Sequence, residues 1–229
     1  MKLAAMQPYL FPYMGYYQLV HAVDTFVFLD DVNHIKGGYI NRNYTLSPTG
    51  EKTRFTLPIL SQSQNRTINQ HEYDHGEDRI LKTLRHCHGH SRFFARFMPI
   101  IENTLRSSDR NVAHLSARSV TNITEELKIP RKFFFASQIG NPEKLSAGNR
   151  IIDLCHRLEA TEYINAIGGA CLYDKNIFKS RGVKLNFIKM RADRIRYNNR
   201  DLSQLSIIDA LMTCPEDIIL EMLGAYDLI

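Results

Sequence analysis

No apolar run in this chain of 229 residues is long enough to cross a bilayer. Thr25 to Leu29 and Ile218 to Leu220 stop far short of the roughly twenty residues a spanning helix needs, so no membrane span is expected. The start lacks the signature of a leader. Met1 to Met6 carries a single lysine and a short apolar stretch that ends at Gln7 and Pro8, below the length of a signal-peptide core. Cysteine is sparse: Cys87, Cys155, Cys171 and Cys214 show no paired-ligand spacing, which excludes a zinc ribbon and argues against a disulfide framework. Together these absences predict a cytoplasmic protein with reduced thiols. Cys155, set among Ile151, Ile152 and Leu158, reads as a small core residue. Internal repeats and low-complexity segments are also missing, which excludes solenoid architectures.

The chain has an ordinary globular balance, with 44% hydrophobic and 23% charged residues. Its length suits a single core, and one α/β domain over 1–229 is expected. Net charge is +5 and the pI is near 9.0, a mild preference for anionic ligands. Arg191, Arg194, Arg196 and Arg200 form the only local basic group, which reads as a solvated face able to hold a phosphate more than as a nucleic-acid groove.

Periodicity gives a strand-helix-strand opening: a buried strand at Lys2 to Met6, a loop over Gln7 to Met14, a helix from Gly15 to Val23 and a strand at Thr25 to Leu29. Tyr39 to Leu46 and Thr53 to Leu57 flank Ser47-Pro48-Thr49-Gly50 and read as a hairpin. Helical spacing fills an insertion at about 77–127 with three helices. Strands at Phe133 to Ala136, Tyr163 to Ala166 and Lys184 to Ile188 then alternate with helices at Ser146 to Leu158 and near Tyr173 to Ser180. Two helices starting at Ser206 and Pro215 end the chain. The expected fold is a parallel, doubly wound, Rossmann-like sheet.

In such a sheet, ligands sit beyond the carboxyl ends of the strands. Here those ends deliver Gln7 to Tyr16, Asp30 to Asn43, Ser137 to Asn141 and Gly168-Gly169. Two prolines stiffen a first loop with four aromatics that ends at Gly15, a wall suited to a sugar or base next to a helix start that attracts anions. Gln7, Tyr9, Tyr13, Gly15 and Tyr16 are therefore candidate substrate-binding residues, whereas Phe11 suits the core equally well. Lys36, Asn41, Arg42 and Asn43 follow the second strand. Arg42 offers a planar fork for a phosphate, and the amides can bond hydroxyls. Asp30 and Asp31 are candidate bases, although acids also commonly end strands. His86, Cys87, His88 and His90 suggest a metal site, but no carboxylate lies in register and Gly89 interrupts the helix, so a surface helix end is the preferred reading.

The run Gln7-Pro8, Phe11-Pro12, Gly15-Tyr16, Ala22, Asp24, Phe26-Val27, Asp30, Asp31-Val32, Lys36 and Asn41-Arg42-Asn43 resembles the opening of the WbqC-like family. Leu57-Pro58, Arg150, Gly168-Gly169, Tyr173, Phe178, Gly182-Val183, Leu185 and Leu205 to Asp209 extend the resemblance over nearly the whole chain. It implies a setting in O-antigen or other surface-polysaccharide biosynthesis. The expected function is then an N-acyl- or aminoacyltransferase acting on a nucleotide-linked amino sugar, with Asp30 or Asp31 taking a proton from the amine. An aminoacyl-tRNA donor and ATP are both compatible with it. A non-catalytic nucleotide-sugar-binding or scaffold protein is the alternative. The chain departs from the family at Arg196-Tyr197-Asn198-Asn199, where a Tyr-x-Gln is common. A fainter similarity is to nucleotidyltransferases with a His-x-Gly-His turn after the first strand. Here that turn reads Tyr13-Met14-Gly15-Tyr16, so a degenerate nucleotidyltransferase is a further alternative, without the charge and proton transfer histidines supply.

Overall fold

A computed structural model covers residues 1–229. The first strand, β1 (Lys2–Met6), leads into helix α1 (Met14–His21) and strand β2 (Thr25–Phe28), the opening that the apolar spacing predicts. Next come β3 (Arg42–Leu46) and β4 (Lys52–Thr56), paired antiparallel with Arg42 opposite Thr56 and Leu46 opposite Lys52. Three helices fill the following stretch: α2 (Glu77–His88), α3 (Phe94–Leu105) and α4 (Val112–Glu126). Strand β5 (Lys132–Phe135) then precedes the short α5 (Ala136–Ile139), α6 (Ala147–Arg157), β6 (Glu162–Ala166), α7 (Lys175–Ser180) and β7 (Lys184–Met190). A two-stranded ribbon, β8 (Arg196–Tyr197) and β9 (Arg200–Asp201), is followed by α8 (Ile207–Thr213), α9 (Glu216–Gly224) and a last strand, β10 (Tyr226–Leu228). Ser206 caps α8, its hydroxyl accepting from the Ile208 amide at 3.3 Å.

The central sheet runs β10-β7-β6-β1-β2-β5. Five strands are parallel, and β10 pairs antiparallel to β7 with Tyr226 opposite Met190. The expected all-parallel sheet is therefore corrected at one edge. β10 is only three residues long and partly exposed, too short for any periodicity to show.

Alternate residues of each strand enter different cores, because successive side chains point to opposite faces. Ala4, Phe26, Phe28, Ile164 and Ile188 join the larger core with Tyr17, Ile219 and Met222. Leu3, Ala5, Val27, Tyr163, Leu185 and Phe187 face the smaller one with Ile151, Cys155 and Phe178. Both faces are covered, which is why the strands read as near-continuous apolar runs. After β1 the chain adds β2 and β5 on one side, then α6 carries it back to β6 on the other. The strand order thus reverses between β1 and β6, the place where open sheets leave a crevice.

Candidate functional site

The loop from β1 to α1 is held by buried groups on both sides of one residue, Phe11. Phe11 adopts a left-handed backbone, φ 43°, rare for an aromatic residue. Its amide donates to Ser119 Oγ at 2.9 Å, and its carbonyl accepts from Asn43 Nδ2 at 2.9 Å and Ser206 Oγ at 2.8 Å. Leu10 N donates to the Ile40 carbonyl, and Ile207 N to that of Pro12. Such a conformation costs about 1–3 kcal/mol, and these bonds from three distant segments offset it.

That loop forms one wall of a cleft of about 400 Å³ at the reversal between β1 and β6. Gln7, Tyr13, Gly15 and Gln18 line it from the β1 side, and Asn165, Gly168, Gly169 and Tyr173 from the β6 side, with Met6, Leu29, Ile188 and Met190 as apolar floor. Two glycines allow close approach. A Cβ on Gly15 would meet the Tyr13 ring at 2.5 Å, and one on Gly169 would meet Asn165 Nδ2 at 2.4 Å. The Met14 and Gly15 amides, in the uncapped first turn of α1, have no acceptor within the chain.

Two amide side chains in this cleft are incompletely bonded. Gln18 is fully buried; its Nε2 donates to the Met222 and Ala225 carbonyls at 2.7 and 3.0 Å, while its Oε1 has no partner. Asn165 spends Oδ1 on the Ala166 amide at 2.8 Å and leaves Nδ2 for a ligand. No charged residue lines the cleft. A buried acceptor without a donor costs about 1–3 kcal/mol, a cost that Gln18 carries in the free protein.

Of the residues predicted from sequence, the structure brings Gln7, Tyr13, Gly15, Gly168 and Gly169 together here. Tyr9 is half-buried, and its phenol is pushed up to about 12 by burial and then by neighbouring Tyr13. Tyr16 is placed otherwise than expected: 1% exposed, it packs on Phe26 and donates to the Gln7 carbonyl at 2.9 Å, so it supports the loop from inside. Burial holds both the Tyr13 and Tyr16 phenols above their ordinary range, which leaves them neutral.

The acids after β2 separate. Asp30 is 1% exposed, and its carboxylate accepts from the Ser137 amide at 2.9 Å, the Ser137 hydroxyl at 2.5 Å and Asn69 Nδ2 at 3.2 Å. It ties the ends of β2 and β5 together, and both of its oxygens, expected to take a substrate proton, are engaged by these donors. Asp31 is half-buried. Its Oδ2 accepts from Arg150 Nη2 at 3.3 Å, while burial raises its pKa against the pull of that guanidinium. Arg150, whose side chain is 7% exposed, also donates to the Gly140 and Ala136 carbonyls and to Asp153.

The segment after Asp31 does not line the cleft. Asn43 is buried on the Phe11 carbonyl, Asn41 donates to the Leu57 carbonyl at 2.9 Å, and Arg42 Nη2 donates to the Gly37 carbonyl. Lys36 is exposed. Asn41, Arg42 and Asn43, expected as substrate contacts, make bonds within the chain here. His86 in α2 and His90 just beyond it are exposed, whereas His88 turns inward to Thr45 Oγ1 at 2.6 Å and lies 3.6 Å from Asp209. Sequence reasoning missed Gln18 and Asn165. Each is a polar residue inside an apolar run, Tyr17 to Val20 and Tyr163 to Ala166, and that interruption was the available signal.

Residues 7–220 match the model of the WbqC-like protein family. The chain is 23% identical over 194 residues to the uncharacterized protein Rv1507c of Mycobacterium tuberculosis, covering 81% of each. No solved structure matches.

Proposed function

The chain belongs to the WbqC-like protein family, and from that premise we propose that it binds a nucleotide-linked amino sugar in surface-polysaccharide biosynthesis and transfers an acyl or aminoacyl group to the amine. The observation that carries this reading is the uncharged cleft at the strand reversal, with an unsatisfied buried acceptor on Gln18 and a free donor on Asn165. Paired amide donors and acceptors on an apolar floor suit a neutral ring bearing hydroxyls. Tyr13 supplies an aromatic wall for it. In the reaction the amine nitrogen bonds to the acyl carbon, the bond from that carbon to its oxygen or sulfur carrier breaks, and the amine proton passes to a carboxylate. Asp31, two residues beyond the cleft residue Leu29, is the carboxylate assigned that proton, because one of its oxygens is not engaged by Arg150.

A second reading, a binding protein without chemistry, is favoured by a specific observation: no carboxylate, histidine or cysteine lines the cleft itself. The nucleotidyltransferase alternative draws less support, since the Tyr13 and Tyr16 phenols stay neutral where that chemistry needs a charged imidazole. Isothermal titration with nucleotide-linked amino sugars tests binding, and mass spectrometry of the mixture with acyl donors and ATP tests transfer. An N-acylated product that disappears in Asp31→Asn supports the transferase. Binding lost in Asn165→Ala, with no product from any donor, supports the binding protein.

A further inference from the structure

A second cavity adjoins the cleft. About 450 Å³ in volume, it is lined by Arg191, Arg194, Arg196, Tyr197 and the carboxyl-terminal part of α9. Met190 lines the cleft and Arg191, the next residue, lines the groove, so their Cα atoms lie about 3.8 Å apart. Gln18, on the cleft side, bonds the carbonyls of Met222 and Ala225, which line the groove.

The charges in the groove are unequally engaged. Arg191 is paired with Asp227. Arg194 is 73% exposed and comes no nearer than 3.9 Å to a carboxylate, that of its sequence neighbour Asp193. Arg196 makes one long bond, 3.5 Å, to the Asn199 carbonyl. Glu221 is the one acid lining the groove, so the guanidiniums outnumber it. Arg200 belongs elsewhere, beside the buried His88 and Asp209 whose titration it influences. The basic group of the sequence therefore splits, and three of its members face one cavity.

Resting on the reading of the cleft as a sugar site, we infer that the groove holds the diphosphate of the same ligand, with Arg194 and Arg196 as its anion contacts and Tyr197 beside the nucleoside. The neutral part sits in the cleft, where no charge opposes it, and the anionic part lies across Met190. Guanidinium pairs suit phosphate because their forked donors match its oxygens, and an exposed, lightly engaged arginine gives up little to bind it. This assignment moves the phosphate contacts from Arg42 and Lys36 to the opposite side of the cleft.

The test uses the full chain, an Arg194→Ala/Arg196→Ala double variant and Asn165→Ala, titrated with inorganic pyrophosphate, a nucleoside diphosphate and a nucleoside diphosphate-linked amino sugar. The double variant is expected to keep its melting temperature and to bind all three probes at least ten-fold more weakly, whereas Asn165→Ala weakens only the sugar-linked probe. Sugar-nucleotide binding that depends on Asn165 but is unchanged in the double variant overturns the groove and leaves the cleft reading standing. Pyrophosphate binding that depends on the arginines, with no gain from the attached sugar and no effect of Asn165→Ala, overturns the link between the two cavities. Binding of bulk RNA tighter than any of the three probes and lost in the double variant replaces the diphosphate by a polynucleotide and also overturns the inference.

Discussion

The cleft between β1 and β6 and the segment from Asp30 to Asn43 both leave the carboxyl side of the sheet, yet their polar groups are in opposite states. The segment is rich in acids, amides and a guanidinium, and almost all are committed: Asp30 to Ser137 and Asn69, Asn41 to Leu57, Asn43 to Phe11, Arg42 to Gly37. The cleft has no charge, but it holds an acceptor on Gln18 with no partner and first-turn amides of α1 with no acceptor. Buried polar groups in folded proteins are nearly always paired. Availability rather than chemical type therefore distinguishes a ligand site from a structural one, and each region can be challenged on that basis.

The largest effect is expected at Arg150, the hub of the committed side. Its guanidinium holds the Gly140 and Ala136 carbonyls together with Asp31 and Asp153. Arg150→Ala leaves Asp31 and the Gly140 carbonyl without this donor, while Asp153 keeps Arg157 and the Ala136 carbonyl keeps the Gly140 amide, and breaking a buried charge network of this kind costs about 3–5 kcal/mol. Denaturant unfolding should show it, and a variant as stable as the parent would return Arg150 to the pool of groups free for substrate. Next comes Asp30→Ala, which leaves the Ser137 and Asn69 donors without their acceptor and should cost about 2–3 kcal/mol at the rate of buried unsatisfied groups.

On the available side the expected sign is reversed: ligand affinity falls and stability holds. Gln18→Met preserves volume and removes the unpartnered Oε1 along with the bonds to Met222 and Ala225. It should shift the melting temperature little, because one unpaired group is lost with two bonds, while sugar-nucleotide affinity drops by about ten-fold, or 1.4 kcal/mol. Unchanged affinity would mean that no ligand reaches Gln18.

Asp31 lies between the two regions and separates them by pH. Burial raises its folded pKa above the ordinary value of 3.8, so by linkage its contribution to stability is fully present below that value and is lost as pH rises through the raised one. Asp31→Asn keeps an acceptor for Arg150 and removes the charge. Its stability relative to the parent should therefore improve from about pH 3 to pH 6, by less than about 1 kcal/mol, while acyl transfer is lost. A variant that loses ground as pH rises would place Asp31 with Asp30 among the structural acids.

The five parallel strands, the β3–β4 hairpin and the three helices after residue 77 were legible in the sequence because they follow from local periodicity and turn residues. β10 was not, since its three residues gain their conformation from the register with β7. At the site, glycines and the first-loop tyrosines could be picked out as types, and Gly15, Gly169 and Tyr13 do meet in the cleft. What the sequence could not reveal was engagement. Whether Asn43 faces a ligand or the Phe11 carbonyl depends on a contact 32 residues away, and the Asp30 carboxylate is engaged by Ser137, 107 residues distant. Long-range hydrogen bonds of this kind leave no spacing to read.

Arg42→Ala carries the smallest expected effect and tests the contrast most directly. As a residue type in its sequence position, Arg42 is the natural phosphate ligand, and its loss would then weaken ligand binding by about 1.5–3 kcal/mol, the range for a charge-assisted bond. In the fold, its guanidinium reaches back five residues to the Gly37 carbonyl, where the chain turns with φ 77°. This bond is exposed, so water can replace it when the side chain is removed. Arg42→Ala should change unfolding free energy by no more than about 0.5 kcal/mol and leave sugar-nucleotide affinity within two-fold of the parent, measured by titration on the same preparation. A ten-fold weaker affinity at an unchanged melting temperature would show that the segment after β2 reaches the ligand after all. The phosphate contacts would then return from Arg194 and Arg196 to the side of the cleft where the sequence first suggested them.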